Sequence, residues 1–302
     1  MKNNKSIILI IFLSLSVLMS YGQNYRQHEI GVHASGGLSG FSGKLSEGSK
    51  KAGTGYNFGL NYTYMFSRNI GLGIGAEFAI YNFKSNTSGF SDEYKLTDDY
   101  YEEFYFRFKL SEVSETQQLK YINIPIMLMF QSGKKLRYYA GVGGKIGIPL
   151  KGTYENSEID MQTSVYYPVH DLLIEDLRFR GLGTFSKEGG INELELKTIF
   201  MLTAEAGLIF DIAKRFSLYI GAFFDYGITD IINGDKDIPY LVYNVDKPLE
   251  FENNSMLDSK VYNKNENYVK KAAPFHAGLK LRFCFGKKKN KYFNLIEGDM
   301  TK

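Results

Sequence analysis

The chain has 302 residues, a formal net charge of +3 at pH 7 and an apolar fraction of 44%. A balance so close to neutral argues against nucleic acid as a partner. The single cysteine, Cys284, excludes an intrachain disulfide and any small disulfide-stapled scaffold. Tyr and Phe stand at 23 each, Gly at 31 and Pro at only 6, with no Trp, which suits a chain of many strands.

The N-terminus reads as a secretory signal peptide. Lys2 and Lys5 precede the apolar stretch Ile7–Met19, and Ser20-Tyr21-Gly22 supplies small residues for cleavage before Gln23. The apolar core falls short of the roughly twenty residues that a spanning helix needs. Removing Lys2 and Lys5 leaves residues 23–302 with a charge of +1. No later run reaches the roughly eighteen apolar residues of a membrane helix, so helical spans are excluded.

Period-two alternation then recurs eight times: His28–Leu38, Tyr56–Phe66, Ile70–Tyr81, Lys120–Phe130, Leu136–Leu150, Thr198–Phe210, Phe216–Ile228 and Phe275–Phe285. Each run is close to the nine to eleven residues of a tilted strand crossing a bilayer, and an even number closes a barrel. Three links are short: Ser67-Arg68-Asn69, Gln131–Lys135 and Asp211–Arg215. They alternate with four long ones, Leu38–Gly55, Lys84–Leu119, Lys151–Lys197 and Thr229–Pro274. Loops sorted by parity are the mark of a bacterial outer-membrane barrel with tight periplasmic turns and long outside loops. The expected fold is all-β, an eight-stranded antiparallel up-and-down transmembrane β-barrel.

One face of these strands is apolar and carries aromatic residues at the short-turn ends, among them Phe66, Phe130, Tyr138, Phe210, Phe216 and Phe285. That is a lipid face with an interfacial girdle. The other face is rich in glycine and holds Glu29, His33, Asn57, Asn61, Glu77, Asn123, Arg137, Lys145, Glu205, Tyr219, Asp225, His276, Lys280 and Arg282. Eight strands leave an interior just wide enough for side chains, so these charges are read as a plug and not a conduction path. Glu77, Glu205 and Asp225 then require Lys145, Lys280 and Arg282 as partners, since a buried unpaired charge is costly.

Other constellations are weak. Ser164, His170 and Asp171 share a long loop without a nucleophile elbow. His33 and His276 face the lumen, and two ligands make a poor metal site without a third. Asn233–Asp237, NGDKD, resembles the start of a calcium loop but lacks the downstream glycine and glutamate. Pro125 forfeits a ladder hydrogen bond in mid-strand. Cys284 falls on the lumen side as a packed thiol. Asp98–Leu110 is expected to rise above the membrane as a strand beside the start of the fourth run. Its Phe104, Phe106 and Phe108, with Tyr166, Tyr167 and Phe179, are expected either to form an exposed binding surface or to pack the loops on one another.

YINIPIMLMF (Tyr121–Phe130), GVHASGGLSG in the first run, YAGVGGKIG in the fifth and FHAGLKLRF in the last resemble the PorT-like outer-membrane β-barrel family of Bacteroidota, as does the signal ending at Tyr21-Gly22-Gln23. The resemblance covers the mature chain through Phe285. It implies an eight-stranded barrel in the outer membrane and brings no catalytic residues. Some members take part in export through the type IX secretion system, which makes an envelope or secretion protein the implied partner. The expected organisation is a signal peptide (1–22), a barrel (23–285) and a short basic periplasmic tail (286–302), too short for a peptidoglycan-binding domain. The expected protein is a non-enzymatic, cofactor-free, monomeric barrel in outer-membrane lipid and lipopolysaccharide, with loops or tail engaging another protein. The alternative is a narrow pore or small-ligand channel.

Overall fold

The structure, a computed structural model, describes residues 26–133, 136–232 and 237–288. The signal segment, the tail beyond Lys288 and most of the NGDKD motif lie outside the described residues. The elements in chain order begin with β1 (Arg26–Ser42), β2 (Ser49–Met65), β3 (Ile70–Ser88), β4 (Ser91–Thr97), β5 (Glu103–Leu110), β6 (Glu112–Ser132) and β7 (Arg137–Asn156). They continue with β8 (Ile159–Tyr167), β9 (Leu172–Ile174), β10 (Gly183–Lys187), β11 (Ile191–Leu194), β12 (Ile199–Asp211) and β13 (Phe216–Gly227). After the short β14 (Leu241–Val242), β15 (Glu252–Asn253), β16 (Lys260–Val261) and β17 (Glu266–Asn267), the chain ends in β18 (Ala273–Lys288).

Eight of these strands close a ring in the order β1, β2, β3, β6, β7, β12, β13, β18 and back to β1, every pair antiparallel. Each carries one of the eight alternating runs, to within one residue at the ends. The register shows the tilt of a closed barrel. One rung passes from Gly147 through Asn123, Glu77, Gly59, His33, Arg282, Tyr219 and Ile209, and returns to β7 at Arg137, ten residues from its start. At Pro125 the β3–β6 pairing skips between Ile74–Ile126 and Glu77–Asn123, as a residue without an N–H requires.

The apolar stripe changes sides partway up the wall. Near the short turns, Ile70, Leu72, Ile74, Phe78 and Ile80 of β3 point outward while Glu77 is buried inside. Above Ile80 the pattern inverts: Tyr81 and Phe83 are buried and Lys84 is exposed. The same happens on β6, where Ile122 and Ile124 give way to buried Tyr121 and Leu119. The wall therefore leaves the lipid zone at this level and continues into water as an ordinary sheet with a wet outside. This is why β1, β2, β3, β6, β7 and β18 run longer than their alternating apolar runs, up to 21 residues in β6. Only Gly43–Gly48 remains as the first link, and Gly48 sits at φ +89° with no room for a Cβ, which would lie 2.1 Å from the Asn86 carbonyl. β18 also continues past Phe285 to Lys288, with the Gly286 N–H donating to the Arg215 carbonyl at 2.9 Å.

The long loops fold into a cap. β4, β5, β8 and β10 form a separate antiparallel sheet, with β9 on β8. The expectation that Asp98–Leu110 pairs with the start of the fourth run is corrected here. β5 lies between β4 and β8, while the start of β6 is already occupied on both edges by β3 and β7. β12 and β13 are only 13 and 12 residues long, so the wall is low on their side. β11 pairs with the upper edge of β7 there, and residues 229–232 and 237–272 lie beside it, with Ile232 bridged to Leu196. One continuous core runs from the barrel mouth (Tyr81, Tyr121, Ile199, Met201) through Phe90, Phe106 and Tyr243 to the cap.

Candidate functional site

The lumen polar residues assemble from strands that cannot see one another in sequence. The Glu77 carboxylate accepts from Lys145 Nζ (2.6 Å) and Asn123 Nδ2 (3.2 Å) on one side and lies 3.1 Å from His33 Nε2 on the other. It reaches His33 across β2 at Gly59, where an added Cβ would sit 2.7 Å from that of Glu77. Lys145 also donates to Asp225 (2.8 Å), which accepts from the Thr203 hydroxyl (2.6 Å). A second group places Lys280 (3.0 Å) and Arg282 on Glu205, with the Arg282 guanidinium over the rings of Tyr139 and Tyr219. All six charged residues are at most 5% exposed.

The two groups balance each other. Lys145 faces two carboxylates, and Glu205 faces two cations, so one triad carries an excess negative charge and the other an excess positive one. The barrel register sets His33 beside Arg282, between the two. Below them Glu29 accepts from the Tyr219 hydroxyl at 2.7 Å, and Met127, Met129, Ile209 and Cys284 pack the bottom of the bore. A void of about 20 Å³ remains beside His33, Lys280 and Arg282, about enough for one water.

The second region is the cap. Phe104, Phe106 and Phe108 are 3%, 0% and 3% exposed, so of the two expectations for them the exposed surface is corrected and the packing of loops on one another holds. Their alternation with Tyr105, Arg107 and Lys109 marks one buried face of a sheet, and that face packs on residues 240–257, with Phe106 stacked on Tyr243 at 4.5 Å. Tyr166 stays half-exposed beneath the Arg107 guanidinium, 4.6 Å from its ring, and the Tyr167 hydroxyl donates to Asp98. Phe179 is 70% exposed.

Two buried carboxylates stitch the cap together without a basic partner. Glu115 accepts from the Ser255 hydroxyl (2.5 Å), the Met256 N–H (2.9 Å) and the Gln117 amide (2.6 Å). Burial pushes its carboxyl up to about 7, against the pull of those three bonds. Asp92 accepts from the N–H groups of Tyr262 and Asn263, and burial raises its carboxyl too. Sequence reasoning missed both. The available signal was an acid at an inward position, and apart from Gln117 the partners named come from more than a hundred residues away.

The weaker constellations do not assemble. The His170 ring lies on Glu102, and Asp171 accepts from the Tyr166 hydroxyl, so neither serves Ser164. His276 is opposite Ser39, six residues along β1 from His33. Among the described residues no group of three His, Cys, Asp or Glu side chains is placed to hold a metal.

Residues 21–233 match the family model described as Outer membrane protein beta-barrel domain, more than half of the chain. The protein belongs to that family and is an outer-membrane β-barrel; the cap side of the barrel is accordingly called extracellular below. No curated protein matches the sequence. Among solved structures it is similar to the Neisserial surface protein A (10% identity, 88% of this chain and 100% of that one, TM-score 0.35). It is also similar to OprG from Pseudomonas aeruginosa (10%, 85% and 97%, 0.31) and to Ail, the attachment invasion locus protein of Yersinia pestis (12%, 85% and 99%, 0.29).

Proposed function

We propose that the protein is a non-conducting, non-enzymatic scaffold of the cell envelope whose working surface is the extracellular cap, where it engages another protein. The observation that carries this reading is the double closure of the bore. A neutral charge cluster fills the lumen, and an aromatic core lies directly above it. A membrane barrel sealed twice over has its outer surfaces left for work. A tie to type IX secretion rests on the PorT-like resemblance alone.

Planar-bilayer recording on the full-length protein tests the reading. Current should be negligible, and a steady nanosiemens pore would restore the transport alternative. Crosslinking in native membranes should recover the same partner in repeated trials, and its consistent absence would count against the scaffold.

A further inference from the structure

At the far end of the cap the β4–β5 turn meets the β8–β9 turn. His170 Nε2 lies 2.8 Å from Glu102, and the Tyr167 hydroxyl donates to Asp98 at 3.2 Å. Asp98 also accepts the N–H groups of Tyr100 and Glu102, both at 2.9 Å, so the tip is internally braced. Between this tip, residues 177–182 and residues 243–245 runs a groove of about 180 Å³. Phe104, Val165, Ile174, Leu177, Leu182 and Tyr243 line it. Its size is that of a single large side chain: a cavity of roughly 150 Å³ is known to take benzene.

The rim chemistry selects what accompanies that side chain. Residues 98–103 read DDYYEE; of its four acids Asp98 and Asp99 line the groove, while Glu102 is paired with His170 and Glu103 with Lys95 at 2.6 Å. Tyr100 and Tyr101 are 87% and 90% exposed, offering ring faces that favour cations. Arg180 also lines the groove, contributed by a different segment, so the acidic side has a direction.

We propose that this groove docks a basic segment of a partner protein. One large apolar side chain enters the groove, while flanking Lys or Arg residues lie against Asp98, Asp99 and the two exposed tyrosines. The pairing of an apolar anchor with complementary charge at the rim is how protein interfaces divide affinity and specificity. An acidic glycan or an anionic peptide is repelled by the same rim. The inference rests on the cap being the working surface and names the kind of partner it takes.

The absence of Trp from the chain makes the test direct, because fluorescence from a Trp-containing peptide is unobscured. The probes are a Lys-Trp-Lys-Gly peptide and its Glu-Trp-Glu-Gly counterpart, titrated against the full-length protein in detergent. The lysine peptide should show a saturable blue shift that weakens with salt, and the glutamate peptide none. Asp99→Lys, and Val245→Phe on the groove lining, should each weaken binding about three- to tenfold. Their heat-dependent gel migration should stay as in the parent protein, which excludes misfolding as the cause. Equal binding of the two peptides, no saturation up to about 1 mM, or full binding by both folded variants would overturn the proposal. Negligible bilayer current without peptide binding removes the groove but keeps the scaffold, whereas peptide binding by a conducting barrel does the reverse.

Discussion

The barrel and the cap solve the same problem with opposite materials. In the lipid zone the outside is apolar and the inside polar; in the cap the inside is apolar and the outside polar. Most buried acids follow the same division. Glu77, Asp225 and Glu205 in the lumen meet cations, with Glu29 at its floor held instead by the Tyr219 hydroxyl, whereas Glu115 and Asp92 in the cap meet N–H and hydroxyl donors. The difference follows from what surrounds each region. A lumen ringed by lipid must bring its own counter-charges, while a cap in water draws stability from apolar burial and needs polar groups only as fasteners.

The comparison breaks first at Lys145. Lys145→Ala strands Glu77 and Asp225 together in a closed space, which should cost about 3–5 kcal/mol. Urea unfolding or the temperature of the heat-modified gel shift should fall accordingly, and the cap should unfold with the barrel because its segments spring from the wall strands. Lys145→Ala with unchanged unfolding would mean that the lumen ion pairs do not hold the barrel together.

Phe106→Ala attacks the other side. Removing a fully buried ring from a stacked pair should cost up to about 3–5 kcal/mol, less where the loops collapse into the space. The loss should be local. Limited proteolysis should cut within residues 91–187 while the barrel keeps its heat-modified mobility. If barrel and cap fail together, the cap is not separable from the wall.

How much of this was legible depends on where the apolar stripe faces. The eight runs could be read because Ile, Leu and Phe alternate with Gly and charge along a single face. The runs stop where the stripe changes sides, at Ile80–Tyr81 on β3 and Tyr121–Ile122 on β6, because a wet strand with an apolar inside gives no continuing outward stripe. The lumen acids and bases could be assigned a face by parity, but pairing Lys145 with two acids needs the ring closure and the shear. The cap was the least legible. Phe104, Phe106 and Phe108 announced an amphipathic strand, yet nothing local says that its second layer comes from residues 240–257. Tyr166 and Arg107 came together only because β5 pairs with β8, across more than fifty residues.

The finest separation of the two regions is by pH, through Glu115. Its carboxyl titrates near 7 when buried in the cap and near the ordinary 4.5 when the cap is open. Below pH 4.5 both states hold the proton and there is no difference. Between about 4.5 and 7 only the open cap ionises, so the open form gains and cap stability falls as pH rises. Above 7 both forms are ionised and the loss is complete, at most roughly 3 kcal/mol by the linkage of about 1.4 kcal/mol per pH unit. Tyr154, Tyr240 and Tyr268 interact with the carboxyl and stay neutral across this range, since burial holds the three phenols above their ordinary value. Glu115→Gln removes the titration; its one amide oxygen can still accept from the Met256 N–H, while its NH2 turns to the Ser255 hydroxyl oxygen. Hydrogen exchange of the Met256 amide, followed from pH 5 to 8 after correction for intrinsic rates, should quicken in the parent protein and stay level in Glu115→Gln. A parent profile that is already flat would place the proton elsewhere and leave Glu115 as a plain hydrogen-bond acceptor.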